Sequence, residues 1–214
     1  MRKVFITICC GAIFVFLVCH AACRPESLIW KDILQRETVR YLASQGVATK
    51  QIVIGNSGEI ELNLRGSGIT NLYILIGMPL ASLDISRCPV SDLEPLSQMR
   101  LLRRLDISST AVTNLAPLAG LHLDELRMSN TKVNDLEPLR NMPLQALFIV
   151  KTDVRDLTPI KDMQLDTLFF SADVDHSEEF IRVLRDMKTL RCINAYSYVT
   201  NFWDEYDSGK FRKR

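Results

Sequence analysis

Residues 83–99 read LDISRCPVSDLEPLSQM, residues 105–121 LDISSTAVTNLAPLAGL, residues 126–142 LRMSNTKVNDLEPLRNM and residues 147–163 LFIVKTDVRDLTPIKDM. An earlier, worn copy runs Leu62-Asn63-Leu64, Ile69, Asn71-Leu72, Ile74-Leu75, and a later one begins Leu168-Phe169-Phe170-Ser171 with Val174. The leading leucines fall at 62, 83, 105, 126, 147 and 168, in steps of 21, 22, 21, 21 and 21. A fixed period of this length marks a solenoid, in which each unit stacks only on its neighbours.

Each column of the repeat has a physical reading. Leu-x-Ile has period two, so two side chains point one way and the residue between them points the other. That predicts a short strand with a core side and an outer side. Thr110, Thr131 and Thr152, with Cys88 in the same column, come where each coil leaves its strand. Asp92, Asn114, Asp135 and Asp156 stand just before Leu-x-Pro-Leu or its isoleucine variant. An Asx oxygen there can accept backbone N–H bonds and cap a helical turn, and proline is tolerated in that first turn. Leu93, Leu96 and Met99 then turn inward at helical spacing. One coil is a strand, a turn and a short helical return, and no coil can bury its apolar columns alone.

These residues resemble leucine-rich repeats of the short bacterial style that internalins also use. A repeated Met-Pro-Leu, at Met78-Pro79-Leu80 and Met142-Pro143-Leu144, is similar to arrays of exported or kinase-linked proteins from the Planctomycetes–Lentisphaerae bacteria. The ending Phe202-Trp203-Asp204-Glu205-Tyr206-Asp207 resembles the closing segment of such arrays. The resemblance covers about residues 59 to 207. It implies an α/β solenoid of six to seven coils of about 21 residues, whose strand face is a concave protein-binding surface.

Working outward, both ends read as caps. Leu28 to Gln45 has the pattern of an amphipathic helix, with Trp30, Ile33, Leu34, Tyr41 and Leu42 on one stripe, Ser27 or Glu26 as its start and Gly46 as its stop. Gln51 to Ile54, Asn56-Ser57-Gly58 and Glu59 to Leu64 read as strand, turn, strand. Ser177 to Lys188 predicts a full helix with Phe180, Val183, Leu184 and Met187 inward, and Leu190 to Ile193 a last strand. Phe202, Trp203 and Tyr206 are expected to fold onto the terminal coil. The expected organisation is residues 1–22 an export signal, 23–58 an N-terminal helix and hairpin cap, 59–176 the repeats, and 177–214 a C-terminal helical cap with a basic tail.

The first segment reads as an address. Arg2 and Lys3 precede an apolar run from Val4 to Val18, and small residues Ala21, Ala22 and Cys23 follow. These are the marks of an export signal, and the run is short for a bilayer span of about 20 residues. Ala21-Ala22-Cys23 resembles the end of a bacterial lipoprotein signal, which makes Cys23 the candidate lipidation site, although His20 departs from that pattern. Lipid anchoring, simple secretion and an uncleaved helical anchor stay open. The expected location is the cell envelope or the medium, and contact with a membrane would run through this N-terminus.

Composition excludes several classes. Hydrophobic residues make up 47% and charged residues 24% of 214, which argues against disorder or a fibre. The net charge of +1 gives no sign of nucleic-acid binding. Removing Arg2 and Lys3 with the signal leaves 24 of 26 basic side chains against 25 acidic ones. Of six cysteines, Cys9, Cys10 and Cys19 lie in the signal and Cys23 at its junction. Cys88 and Cys192 are five coils apart, roughly 24 Å at the usual strand spacing, too far for a disulfide. They are expected as unpaired, largely buried thiols.

Catalysis finds little support. His122 and His176, the two histidines beyond the signal, fall in different coils without a serine or acidic partner at a recognisable spacing. No nucleophile elbow, phosphate loop or His-Glu-x-x-His zinc motif is present. The aspartate ladder reads as structural capping rather than a calcium site, since Asn114 stands in it without a charge. No catalytic residue, metal or cofactor is therefore assigned.

The outer strand positions carry the functional signal. Between the inward pairs they read Asn63, Asp84, Asp106, Arg127, Phe148, Phe169; after them Ser86, Ser108, Ser129, Val150, Ser171. Three clustered apolar side chains on an outer face call for a cover. Either the C-terminal tail lies across Phe148, Val150 and Phe169, or a partner protein does, with Asp84, Asp106 and Arg127 on its polar edge. The expectation is a non-enzymatic protein-binding module whose partner's identity stays open. The alternatives are a structural or self-associating envelope spacer, and an accessory or sensor part of a kinase-linked signalling system.

Overall fold

The computed structural model describes residues 28–48, 51–56, 58–171, 177–194 and 199–209. Near the start it also describes a two-strand antiparallel pair, β1 (Thr7–Cys9) and β2 (Ala12–Phe14), with Thr7 opposite Phe14. The rest of the expected export segment, Cys23, Ser27, Ser57, Val174, His176 and the basic tail 210–214 lie outside the described residues. So does the side chain of Trp30.

The core of the array is a single eight-stranded sheet. Its strands are β3 (Gln51–Ile54), β4 (Ile60–Asn63), β5 (Leu80–Asp84), β6 (Arg104–Asp106), β7 (Glu125–Arg127), β8 (Ala146–Ile149), β9 (Thr167–Phe170) and β10 (Cys192–Ile193). They lie side by side in sequence order. β3 runs antiparallel to β4, and every later pair is parallel. Register follows the repeat: Leu62, Leu83, Leu105, Leu126, Leu147, Leu168 and Ile193 form one continuous row. All seven are at most 2% exposed. The second inward row, from Leu64 and Ile85 to Phe170, is at most 3% exposed. These two rows meet the returns to make one core running the length of the array.

The returns are single 3-10 turns, at Leu72–Leu75, Glu94–Leu96, Ala116–Leu118, Glu137–Leu139 and Thr158–Ile160. The expected short helices are this tight because a coil of about 21 residues leaves room for one turn only. The Asx column opens each turn as expected: Asn71, Asp92, Asn114, Asp135 and Asp156 each accept, through Oδ1, the backbone N–H two residues on, at 2.7–2.8 Å. The threonine column closes the strand exit. Thr110, Thr131 and Thr152 donate to the carbonyls of Ile107, Met128 and Ile149 at 2.6, 2.7 and 2.8 Å. Cys88, in the same column, instead directs its thiol at the carbonyl of Leu64, 3.1 Å away.

At the N-terminal end, α1 (Leu28–Ser44) packs on β3. It ends in a left-handed turn at Gly46 (φ 73°), with Gly46 N–H bonded to Ala43 O and Val47 N–H to Leu42 O. Leu42 and Val47 are both buried beside that closure. The buried stripe of α1 differs from the expected one. Leu34, Thr38, Tyr41 and Leu42 face the core, whereas Ile33 is 44% exposed. Thr38 can be buried because its hydroxyl donates to Leu34 O at 2.8 Å within the helix.

At the other end, α2 (Glu178–Asp186) replaces the 3-10 return. Ser177 caps it, its Oγ accepting from Phe180 N–H at 3.1 Å, and Phe180, Val183, Leu184 and Met187 are buried as expected. α3 (Val199–Asp207) then closes the array with Phe202, which is fully buried. Phe202 meets Phe170 edge-on at 5.8 Å and Trp203 at 5.0 Å. Arg185 of α2 lies over the Trp203 ring and pairs with Asp207, which ties the two helices together.

Candidate functional site

Strand register brings the expected residues into one line. Asn63, Asp84, Asp106, Arg127, Phe148 and Phe169 are direct neighbours on β4 to β9, all on the outer side. Arg127 is exposed and the others are half-buried. Val150 follows Phe148 by two residues and is also half-buried. Ser86 departs from the expected outer row: it is 1% exposed, and its hydroxyl has no hydrogen-bond partner among the described residues.

A second outer row lies one step before the inward leucines: Val53, Glu61, Ser82, Arg104, Glu125, Ala146, Thr167 and Cys192. Sequence reasoning missed it by starting each strand at its leucine. Period two carried one residue further back finds it. This row supplies charge partners. Arg104 reaches across β5 to Glu61 at 2.5 Å, and Arg127 pairs with Glu125 two residues before it. Beyond Glu125 the row turns small, with Ala146 and Thr167 beside the aromatics.

The apolar end is an ordered shelf. Phe148 and Phe169 stack with ring centroids 4.8 Å apart and planes 15° from parallel. The Arg127 guanidinium lies over the Phe148 ring, 4.3 Å from its centroid. Such stacking is worth about 0.5–1.5 kcal/mol beyond burial, and an exposed cation–π contact about 0.5–1 kcal/mol. These contacts favour one placement of the two rings. The α3 helix does not account for them directly, because its ring contact to β9 runs to Phe170 on the core side.

The acidic end has a different construction. Asp84 Oδ1 accepts Ser86 N–H at 2.9 Å and Asp106 Oδ1 accepts Ser108 N–H at 2.8 Å. Asn63 does the same for Arg65 N–H at 3.0 Å. These turns shape the strand exits.

Other groups offer little chemistry. Cys88 and Cys192 are free thiols on coils five strands apart. Burial, and then the nearby Asp166 carboxylate, push the Cys192 thiol up, which keeps it protonated and weakly nucleophilic. His122 is exposed. Among the described residues no three His, Cys, Asp or Glu side chains gather to hold a metal, and no helix is long and apolar enough to cross a membrane. An open groove of about 920 Å³ runs along the strand entrances between Arg140 and Arg191. Its two arginines are paired locally, Arg140 with Glu137 at 2.6 Å and Arg191 with Asp166 at 3.3 Å.

No family model matches the chain, and no curated protein matches it. Among solved structures, an internalin (inlF) from Listeria monocytogenes matches with a TM-score of 0.55 and 22% identity, over 78% of this chain and 54% of that one. An internalin C2 from the same organism matches with a TM-score of 0.47 and 22% identity, over 64% of this chain and 51% of that one. The chain spans about half the length of these structures. The likeness is one of fold: a leucine-rich repeat solenoid like that of the inlF internalin.

Proposed function

We propose that this leucine-rich repeat chain is a non-enzymatic protein-binding module that works through the outer face of its sheet. The observation that carries the reading is the Phe148–Phe169 stack, half-buried on an outer face and ordered by Arg127. Apolar rings held rigidly at a surface suit contact with another protein, since little side-chain entropy is left to lose on binding. The export pattern of residues 1–22 and the small-residue junction at Cys23 support export, with the chain either held at the cell envelope through a lipid on Cys23 or released. The face is small. Eight strands at about 4.8 Å make a strip roughly 34 Å long, against about 800 Å² per partner for a standard interface. The contact is accordingly weak, or helped by the flanks or by many anchored copies.

The test is affinity capture from envelope extract of the source organism, with the chain from Arg24 as bait beside its Phe148→Asp/Phe169→Asp variant. A protein held only by the unaltered bait supports the module, provided thermal unfolding shows both baits folded. Identical profiles move the reading to a self-associating spacer. Tyr73, Ile76 and Leu101 favour that second reading, being 54%, 41% and 53% exposed on the return side. It predicts a sedimentation mass that rises with concentration.

A further inference from the structure

Asp84 and Asp106 stand side by side on β5 and β6. Each spends Oδ1 on the N–H two residues on. In the same column Asn63 makes that bond with an uncharged amide, so the strand exit needs an Asx oxygen but not a negative charge. Like charges directly opposite on adjoining strands weaken a sheet. The two charges therefore oppose the fold that carries them.

Two cations of the outer face are engaged elsewhere. Arg104 reaches to Glu61, and Arg127 is held by Glu125 and by the Phe148 ring. No ion pair reaches Asp84 or Asp106 among the described residues. The outer face is thus divided: a pair of unmatched carboxylates at β5–β6, a neutralised middle at β7, and an apolar shelf at β8–β9.

We infer that this face takes an extended segment of a partner protein bearing a basic side chain for Asp84 and Asp106 and a large apolar one for Phe148 and Phe169. The inference rests on the binding-module reading above. It adds the partner's chemistry and its direction across the strands. Asp106 and Phe148 are two strands apart and Asp84 and Phe169 four, about 10 and 19 Å at the usual spacing. At about 3.3 Å per residue, the two recognised side chains sit roughly three to six residues apart.

The test is selection of a displayed random peptide library, of about 12 residues to span the strip, on the chain from Arg24. Parallel selections use Asp84→Asn/Asp106→Asn and Phe148→Asp/Phe169→Asp. Asn63 shows that the asparagine variant keeps its turn bonds, so that variant changes charge alone. The expected result is enrichment of Lys or Arg three to six residues from Phe, Trp or Leu. Enriched peptides should bind the asparagine variant about tenfold more weakly. Raising salt to about 0.5 M should weaken binding to the unaltered chain and leave binding to the asparagine variant nearly unchanged. Peptides that need the phenylalanines but not the aspartates overturn the inference and leave the binding-module reading standing. Peptides indifferent to both pairs, or no enrichment at all, overturn both. A further selection uses the chain without residues 210–214, and enrichment on that chain alone makes the chain's own tail the occupant, which also overturns the inference.

Discussion

Gly66, Arg87, Ser109, Asn130 and Lys151 hold the same place in successive coils, just past the strand, and all have φ between 57° and 63°. Only the first has no Cβ to strain there. A Cβ at Gly66 would meet nothing within 4 Å, so Gly66→Ala isolates backbone strain and should cost about 1 kcal/mol. Lys151→Gly should do the opposite and stabilise by roughly 0.5 kcal/mol, the relief being partly offset by a freer unfolded chain. Urea unfolding of both variants checks the pair. Asp156 makes a second residue-scale case. The Thr158 hydroxyl, and then its backbone N–H, hold the Asp156 carboxyl below its ordinary 3.8. A depressed folded value adds stability that is complete above about pH 5 and lost as pH falls through that value. Asp156→Asn should therefore flatten the acid limb of the stability–pH curve, and an unchanged limb would exclude this turn as its source. The capping role of Asp156 was legible in the sequence, because an Asx before Leu-x-Pro recurs at fixed spacing. The left-handed column was not, since arginine, serine and lysine announce no positive φ. Only stacking on neighbouring coils enforces it.

The elements show where periodicity suffices and where it does not. Strand positions followed from a motif that occurs six times at near-constant spacing, which leaves one register that buries every leucine. The α1 helix occurs once. Ile33 looked inward on composition, while the stripe that contacts β3 passes through Thr38, whose hydroxyl is satisfied inside the helix. Nothing in an isolated amphipathic pattern marks a threonine as buried. At the other end, the packing of Phe202 onto the terminal coil was legible from the aromatics, whereas the helix α3 that carries it was not; its role is to shield the last coil from water. Phe202→Ala should cost about 3–5 kcal/mol locally. In a stack whose units contact only their neighbours, that loss should appear as faster amide exchange in β9 and β10, with β4 to β6 little changed. Uniformly faster exchange along the array would mean that the caps and coils unfold as one unit.

At the scale of the whole molecule the array is a one-dimensional core with two capped ends and one long outer face. The sequence revealed the line from Asp84 to Phe169 because it lies inside the repeated strand motif. Its ordering required the structure, as the Arg127–Phe148–Phe169 stack joins three coils, and the row from Glu61 to Thr167 lies just before each leading leucine. Above all, a partner protein is expected to cover this face at Phe148 and Phe169. The decisive measurement is a photo-reactive phenylalanine analogue placed at 148, at 169 or at the return-side position 73, and activated in living cells. One discrete cross-linked protein is expected from positions 148 and 169 and none from 73. Cross-linking from 73 alone, or none from 148 and 169 in folded protein, would contradict that expectation.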